Sequence, residues 1–88
     1  MYVIENYKRK KAFKEDVKRL KELRTLPERD KDQDAELGRL EARLQVWTPG
    51  PFGVSENGTG TIEGPHYPQA HKWYSAVVVR GGVVVDAK

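Results

Sequence analysis

The sequence predicts an α+β fold in which a helical hairpin packs against a small, mostly antiparallel sheet of three to four strands ending in a C-terminal β-hairpin. Three observations lead there. Apolar residues recur at helical spacing through the first half. Seven of the eight glycines and four of the five prolines lie beyond residue 46, where that spacing stops. Two β-branched runs then flank Gly81-Gly82 near the end. One domain over residues 1–88 follows, helical over about 6–45 and β over about 46–88.

Asn6 can cap a helix beginning near Tyr7, because its side-chain oxygen can accept from an unpaired N–H of the first turn. Phe13, Val17 and Leu20 then share a face, with Leu23 at its edge. Pro27 ends the element by disfavouring helical geometry at Leu26. Asp30, Asp32 or Asp34 can cap a second helix, in which Leu37, Leu40 and Leu44 form a stripe and the acidic residues sit at the favourable end of the dipole. Gly38 within it costs about 1 kcal/mol relative to Ala. The short Pro-containing turn makes the two helices an antiparallel pair.

Val46-Trp47 reads as a short strand running into the loop Thr48-Pro49-Gly50-Pro51-Phe52-Gly53. Asn57-Gly58 is a turn dipeptide, Gly58-Thr59-Gly60 a flexible hairpin tip, and Thr59 to Glu63 another short strand. The final hairpin joins Trp73 to Val79 with Val83 to Ala87. A three-residue loop, Arg80-Gly81-Gly82, would put Trp73, Val77, Val79, Val83, Val85 and Ala87 on one face, whereas a two-residue Gly81-Gly82 turn would leave Arg80 beside Val83. The longer loop is therefore expected. The expected core draws on Phe13, Val17, Leu20, Leu37, Leu40, Leu44, Val46, Ile62, Val77, Val79, Val83 and Val85.

A chain of 88 residues buries only about 60–65% of its unfolded surface, which leaves little room for a deep cofactor cleft, and no cofactor is expected. With no cysteine there is neither a disulfide nor a thiolate site. No apolar run approaches the roughly 20 residues needed to cross a bilayer, and the Met1-Tyr2-Val3-Ile4-Glu5 start lacks a signal-peptide layout, so a soluble, cytoplasmic protein without membrane association is expected. The net charge of +3 is unevenly spread. Residues 1–24 hold nine basic and four acidic side chains, 25–45 four and six, and 46–88 three of each.

Two surfaces stand out. In the first, Lys11, Lys14, Lys18 and Lys21 fall on one stripe of the first helix, suited to following a phosphate backbone. The same helix also reads as an ordinary solvated face, with Lys11–Glu15, Glu15–Arg19 and Lys18–Glu22 at i, i+4. The second is the Pro-punctuated segment 64–74, which gathers His66, Tyr67, His71, Trp73 and Tyr74. Such rings offer large contact area to a partner and lose little entropy on binding; they can equally seal the edge of a small core. His66 and His71, separated by Pro68 and without cysteine nearby, do not have the spacing of a metal site. Ser55 and Ser75 stand in no nucleophile-elbow context, and Gly58-Thr59-Gly60 lacks the Lys-Ser/Thr pair and helix of a phosphate loop.

The stretches Thr48-Pro49-Gly50-Pro51-Phe52-Gly53, Glu63-Gly64-Pro65-His66-Tyr67-Pro68 and His71-Lys72-Trp73-Tyr74, with the Asn6-Tyr7-Lys8-Arg9-Lys10-Lys11 start, resemble small uncharacterised proteins of tailed bacteriophages and related mobile elements. The segment from about Leu23 to Gln45 departs from that pattern as an extension. The resemblance implies an accessory protein acting on a host or phage macromolecule, in the host cytoplasm; it brings no functional residues.

These readings lead to a non-catalytic binding protein that associates with a protein partner, of host origin in the setting the phage resemblance implies, through His66, Tyr67, His71 and Trp73. The alternative is nucleic-acid binding by the lysine stripe. An open edge strand would also permit self-association.

Overall fold

The computed structural model describes residues 1–48, 57–66 and 68–88. Among them the chain runs β1 (Tyr2–Val3), α1 (Lys10–Thr25), α2 (Lys31–Arg43), β2 (Val46–Trp47), β3 (Gly58–Gly64), β4 (Trp73–Arg80) and β5 (Val83–Ala87). This is the expected α+β arrangement of two helices packed on a small antiparallel sheet. The expected loop at 48–53 falls, from residue 49 on, outside the described residues, as do Ser55 and Tyr67.

Helix α1 starts later than expected. Arg9 stands at its N-cap with no side-chain cap, because Asn6 is occupied elsewhere: its Oδ1 accepts from the backbone N–H of His66 at 2.8 Å. Phe13, Val17, Leu20 and Leu23 are all buried, as one helical face requires. Leu26, ahead of Pro27, is extended and ends the helix. Asp30 caps α2 in a reciprocal box with Gln33, in which each side chain accepts from the other's backbone N–H. Arg29 donates to the Leu23 carbonyl at 3.0 Å, satisfying an acceptor at the end of α1. Arg19–Glu36 and Arg24–Glu41 then bridge the two helices at 2.8 and 2.9 Å.

The sheet order is β3-β4-β5, with β1 and β2 forming a separate antiparallel pair. Backbone bonds connect the two sets. Val46 N–H donates to Gly82 O and Val84 N–H to Leu44 O, joining the approach to β2 to β5, while Glu63 N–H donates to Met1 O, joining β3 to the start of β1. The hydrogen-bonded circuit therefore passes β1-β2-β5-β4-β3 and returns to β1. The Tyr2–Val3 strand has no counterpart among the elements expected from sequence. A strand of two residues leaves no periodicity to read, and its partner lies more than forty residues away.

The C-terminal hairpin is present, but its loop is the two-residue turn that hydrophobic patterning had disfavoured. Gly81 and Gly82 have φ of +59° and +77°, the pair of left-handed residues a type I′ turn requires, and Arg80 does stand opposite Val83. A bulge resolves the conflict. Val79 pairs with Val84 and Val78 with Asp86, so Val85 is an extra residue in β5. Val84 is consequently 0% exposed, while Val83 and Val85, both expected in the core, are only half-buried. Gly58 to Gly60, expected as a hairpin tip, lies instead within β3, where Gly60 sits against the Met1 side chain.

The core contains the other expected residues and adds Val3, Tyr7, Leu23, Trp73 and Val84. Tyr7 closes one end. Its ring meets Phe13 edge-on at 5.6 Å, and its hydroxyl donates to Asp16 Oδ2 at 2.5 Å. Burial, and then that bond to a carboxylate, raise the phenol well above its ordinary value by disfavouring the phenolate.

Candidate functional site

The β3–β4 connection brings the two histidines to the N-terminal segment. Lys72 N–H donates to Gly64 O at 2.8 Å across the base of the connection, and Gln69 N–H to His66 O at 3.0 Å within it. Asn6 holds the backbone of His66 from outside. The loop is thus tied to both its own ends and to the chain just before α1.

Tyr2 lies at the centre of the resulting ring cluster. Its centroid is 5.2 Å from Trp47, 5.2 Å from His66 and 5.6 Å from His71. Trp47 and His66 meet edge-to-face at 5.6 Å, and His71 meets Tyr74 in the same way at 6.2 Å. These separations suit ring quadrupoles. Hydrogen bonds fix the orientation of the rings. The Val3 carbonyl accepts from Trp47 Nε1 at 3.1 Å and lies 2.8 Å from His66 Nε2, which must carry a proton because a carbonyl can only accept.

His71 stands between two polar groups. Its Nε2 is 2.8 Å from the Tyr2 hydroxyl, and its Nδ1 is 3.4 Å from Glu63 Oε2. A neutral ring with its proton on Nδ1, facing the carboxylate, leaves Nε2 to accept from Tyr2. Tyr2 is itself buried, so this line fixes the imidazole plane and places no hydroxyl at the surface. What the cluster offers outward is half-buried His66, His71 and Trp47, the Glu63 carboxylate, and Tyr74, which is 55% exposed.

Of the residues singled out in the sequence, His66 and His71 come together here and Tyr67 lies outside the described residues. Trp73 goes elsewhere. It is 7% exposed, stacks on Phe13 with centroids 5.0 Å apart, and donates its indole N–H to Tyr7 O at 3.0 Å, so its surface is spent inside the core. Alternation explains the difference, since successive side chains of a strand face opposite ways and Trp73 and Tyr74 are neighbours on β4. Tyr2, Trp47, Glu63 and Tyr74 complete the cluster and were not foreseen as a group. The aromatic at position 2 and the Val46-Trp47 pair were the available signals.

The lysine stripe occupies a different face. Lys14, Lys18 and Lys21 line a groove of about 430 Å³ between α1 and β5, with Val17 and Ala87 also contributing and Asp86 at the β5 side. Lys21 Nζ reaches Asp86 Oδ1 at 3.0 Å, a bond that holds the Asp86 carboxyl below the usual carboxylate range. Among the described residues, Lys11, Lys14 and Lys18 form no ion pair, and the Lys11–Glu15 and Lys18–Glu22 pairs are not made. Glu22 turns instead to Arg19 at 3.4 Å.

Among the described residues no His, Asp and Glu side chains gather in a group of three or more suited to a metal ion, and no helix is long and apolar enough to cross a membrane. Comparison with protein-family models, curated proteins and solved structures finds no match to this chain.

Proposed function

We propose that the protein is a non-catalytic binding protein, an accessory protein of the kind its phage-type resemblance implies, which holds a protein partner at the His66–His71 surface. The observation that carries this reading is the ring cluster around Tyr2, whose members lie 5.2 to 5.6 Å from it and are held by bonds to Val3 O and the Tyr2 hydroxyl. Rings already fixed in place lose little freedom on binding. Tyr74, 55% exposed and set against His71, is a large ring of the kind a partner would cover.

The test is affinity capture from the native host at low and high salt, using wild type, Tyr74→Ala and His71→Ala. A protein partner held mainly by ring contacts should be retained at both salts by wild type and lost from either variant. Retention by both variants, with their folds confirmed by circular dichroism, would remove the partner from this surface.

A further inference from the structure

The lysine groove is independent of the His66–His71 surface and lies on a different part of the molecule. We infer that it docks the phosphate backbone of nucleic acid, with Lys11, Lys14 and Lys18 as the contacting ammonium groups and Asp86 standing where a phosphate would otherwise meet Lys21.

Helical rise places Lys11 and Lys21 about 15 Å apart along α1, with the four lysines at intervals of about 4.5 to 6 Å. That is a line of charge rather than a point. Lys14, Lys18 and Lys21 open on the groove, and Lys11 continues the line beyond its end. The two acidic groups that line the groove are already engaged, Glu22 with Arg19, and Asp86 with Lys21 and with the backbone N–H of Ala87 at 2.9 Å, while Glu15, four residues after Lys11, is not among the lining residues. Three ammonium groups therefore remain for an external anion. Lysine heads are mobile point charges that suit phosphates without demanding a fixed geometry.

The apolar part of the groove discriminates between a nucleic acid and an acidic protein. Protein partners are held by large anchors, mostly aromatic or Arg, seated in desolvated pockets. Here the apolar lining is Val17, itself buried, and the methyl group of Ala87, with the Thr25 side chain beside them. The groove itself presents no aromatic or Arg side chain that could serve as such an anchor. A phosphate backbone needs none, since its affinity comes from released counterions.

The experiment is fluorescence anisotropy with a labelled DNA duplex of about 20 base pairs. Three phosphate contacts give a log–log salt slope of about −2.7, so affinity should fall about 40-fold between about 50 and 200 mM salt. Lys14→Ala/Lys18→Ala should bring the slope to about −0.9, and Asp86→Asn, by freeing Lys21, should tighten binding and steepen the slope to about −3.6. Circular dichroism confirms that each variant is folded. A slope near zero, a slope unchanged in the double variant, or an unchanged affinity in Asp86→Asn would overturn the assignment. So would binding of polyglutamate by a protein that does not bind the duplex, since the occupant would then be an acidic chain.

Discussion

Replacing Tyr7 by Phe removes a hydroxyl and leaves the ring, so its edge-on contact with Phe13 at 5.6 Å survives. What disappears is the bond to Asp16 Oδ2 at 2.5 Å. Hydrogen bonds to charged groups contribute about 1.5–3 kcal/mol. The lower end applies here, because the Asp16 side chain is 27% exposed and water can partly replace the phenol, while Arg43 stays 3.6 Å away. A loss of about 1.5 kcal/mol should lower Tm by about 6–12 °C in a domain of this size. The pH dependence gives a second reading. The native phenol titrates above its ordinary value of 10.0, so its contribution is fully present below pH 10. As pH rises further the unfolded chain releases its proton first, and that contribution is lost. Urea unfolding followed by circular dichroism from neutral to alkaline pH should therefore show a gap between wild type and Tyr7→Phe that is constant up to about pH 10 and narrows beyond it. A gap below about 0.5 kcal/mol at neutral pH, or one that stays constant through the alkaline limb, would refute the reasoning.

Gly64→Ala would place a methyl 2.3 Å from Trp73 Cζ2, and displacing a stacked indole should cost about 1–3 kcal/mol, visible as a lower urea midpoint and a changed near-ultraviolet tryptophan signal. Asp30→Ala breaks the reciprocal cap of α2 and should cost about 1 kcal/mol in the same assay, whereas Asp30→Asn, which keeps an acceptor, should cost much less. The Arg19 guanidinium holds the Glu36 carboxyl below its ordinary value of 4.5, so this pair's contribution is present above that pH and is lost as pH falls through the native titration. Arg19→Gln should accordingly flatten the acid limb of a stability profile; an acid limb identical to that of wild type would count against the pair.

The two candidate surfaces were legible to different degrees. The lysine stripe needed only helical spacing, and α1 delivers it; the groove beside it depends on where β5 packs, which spacing does not specify. The histidine surface was legible as a concentration of rings in residues 64–74, but not as a membership. Period-two alternation on β4 turned Trp73 inward and Tyr74 outward, and β1 supplied Tyr2 from the far end of the chain.

Local chemistry determined the parts of this fold that depend on neighbours in sequence. Helical spacing set the buried faces of both helices, Pro27 and Asp30 set the boundary between them, and the Gly81-Gly82 pair set the hairpin. Tertiary structure decided what depends on distant partners. The Asn6 side chain went to His66, fifty-nine residues beyond the helix start it was expected to cap, and α1 consequently begins at Lys10. In the hairpin the preference of a Gly pair for a type I′ turn overruled the loop that the valine pattern favoured and turned Val84 inward opposite Val79, and the bulge at Val85 then returned Ala87 to the inner face. A turn is chosen by the φ values of two residues, whereas the facing of a strand is chosen by what packs against it, and a single extra residue lets both be satisfied.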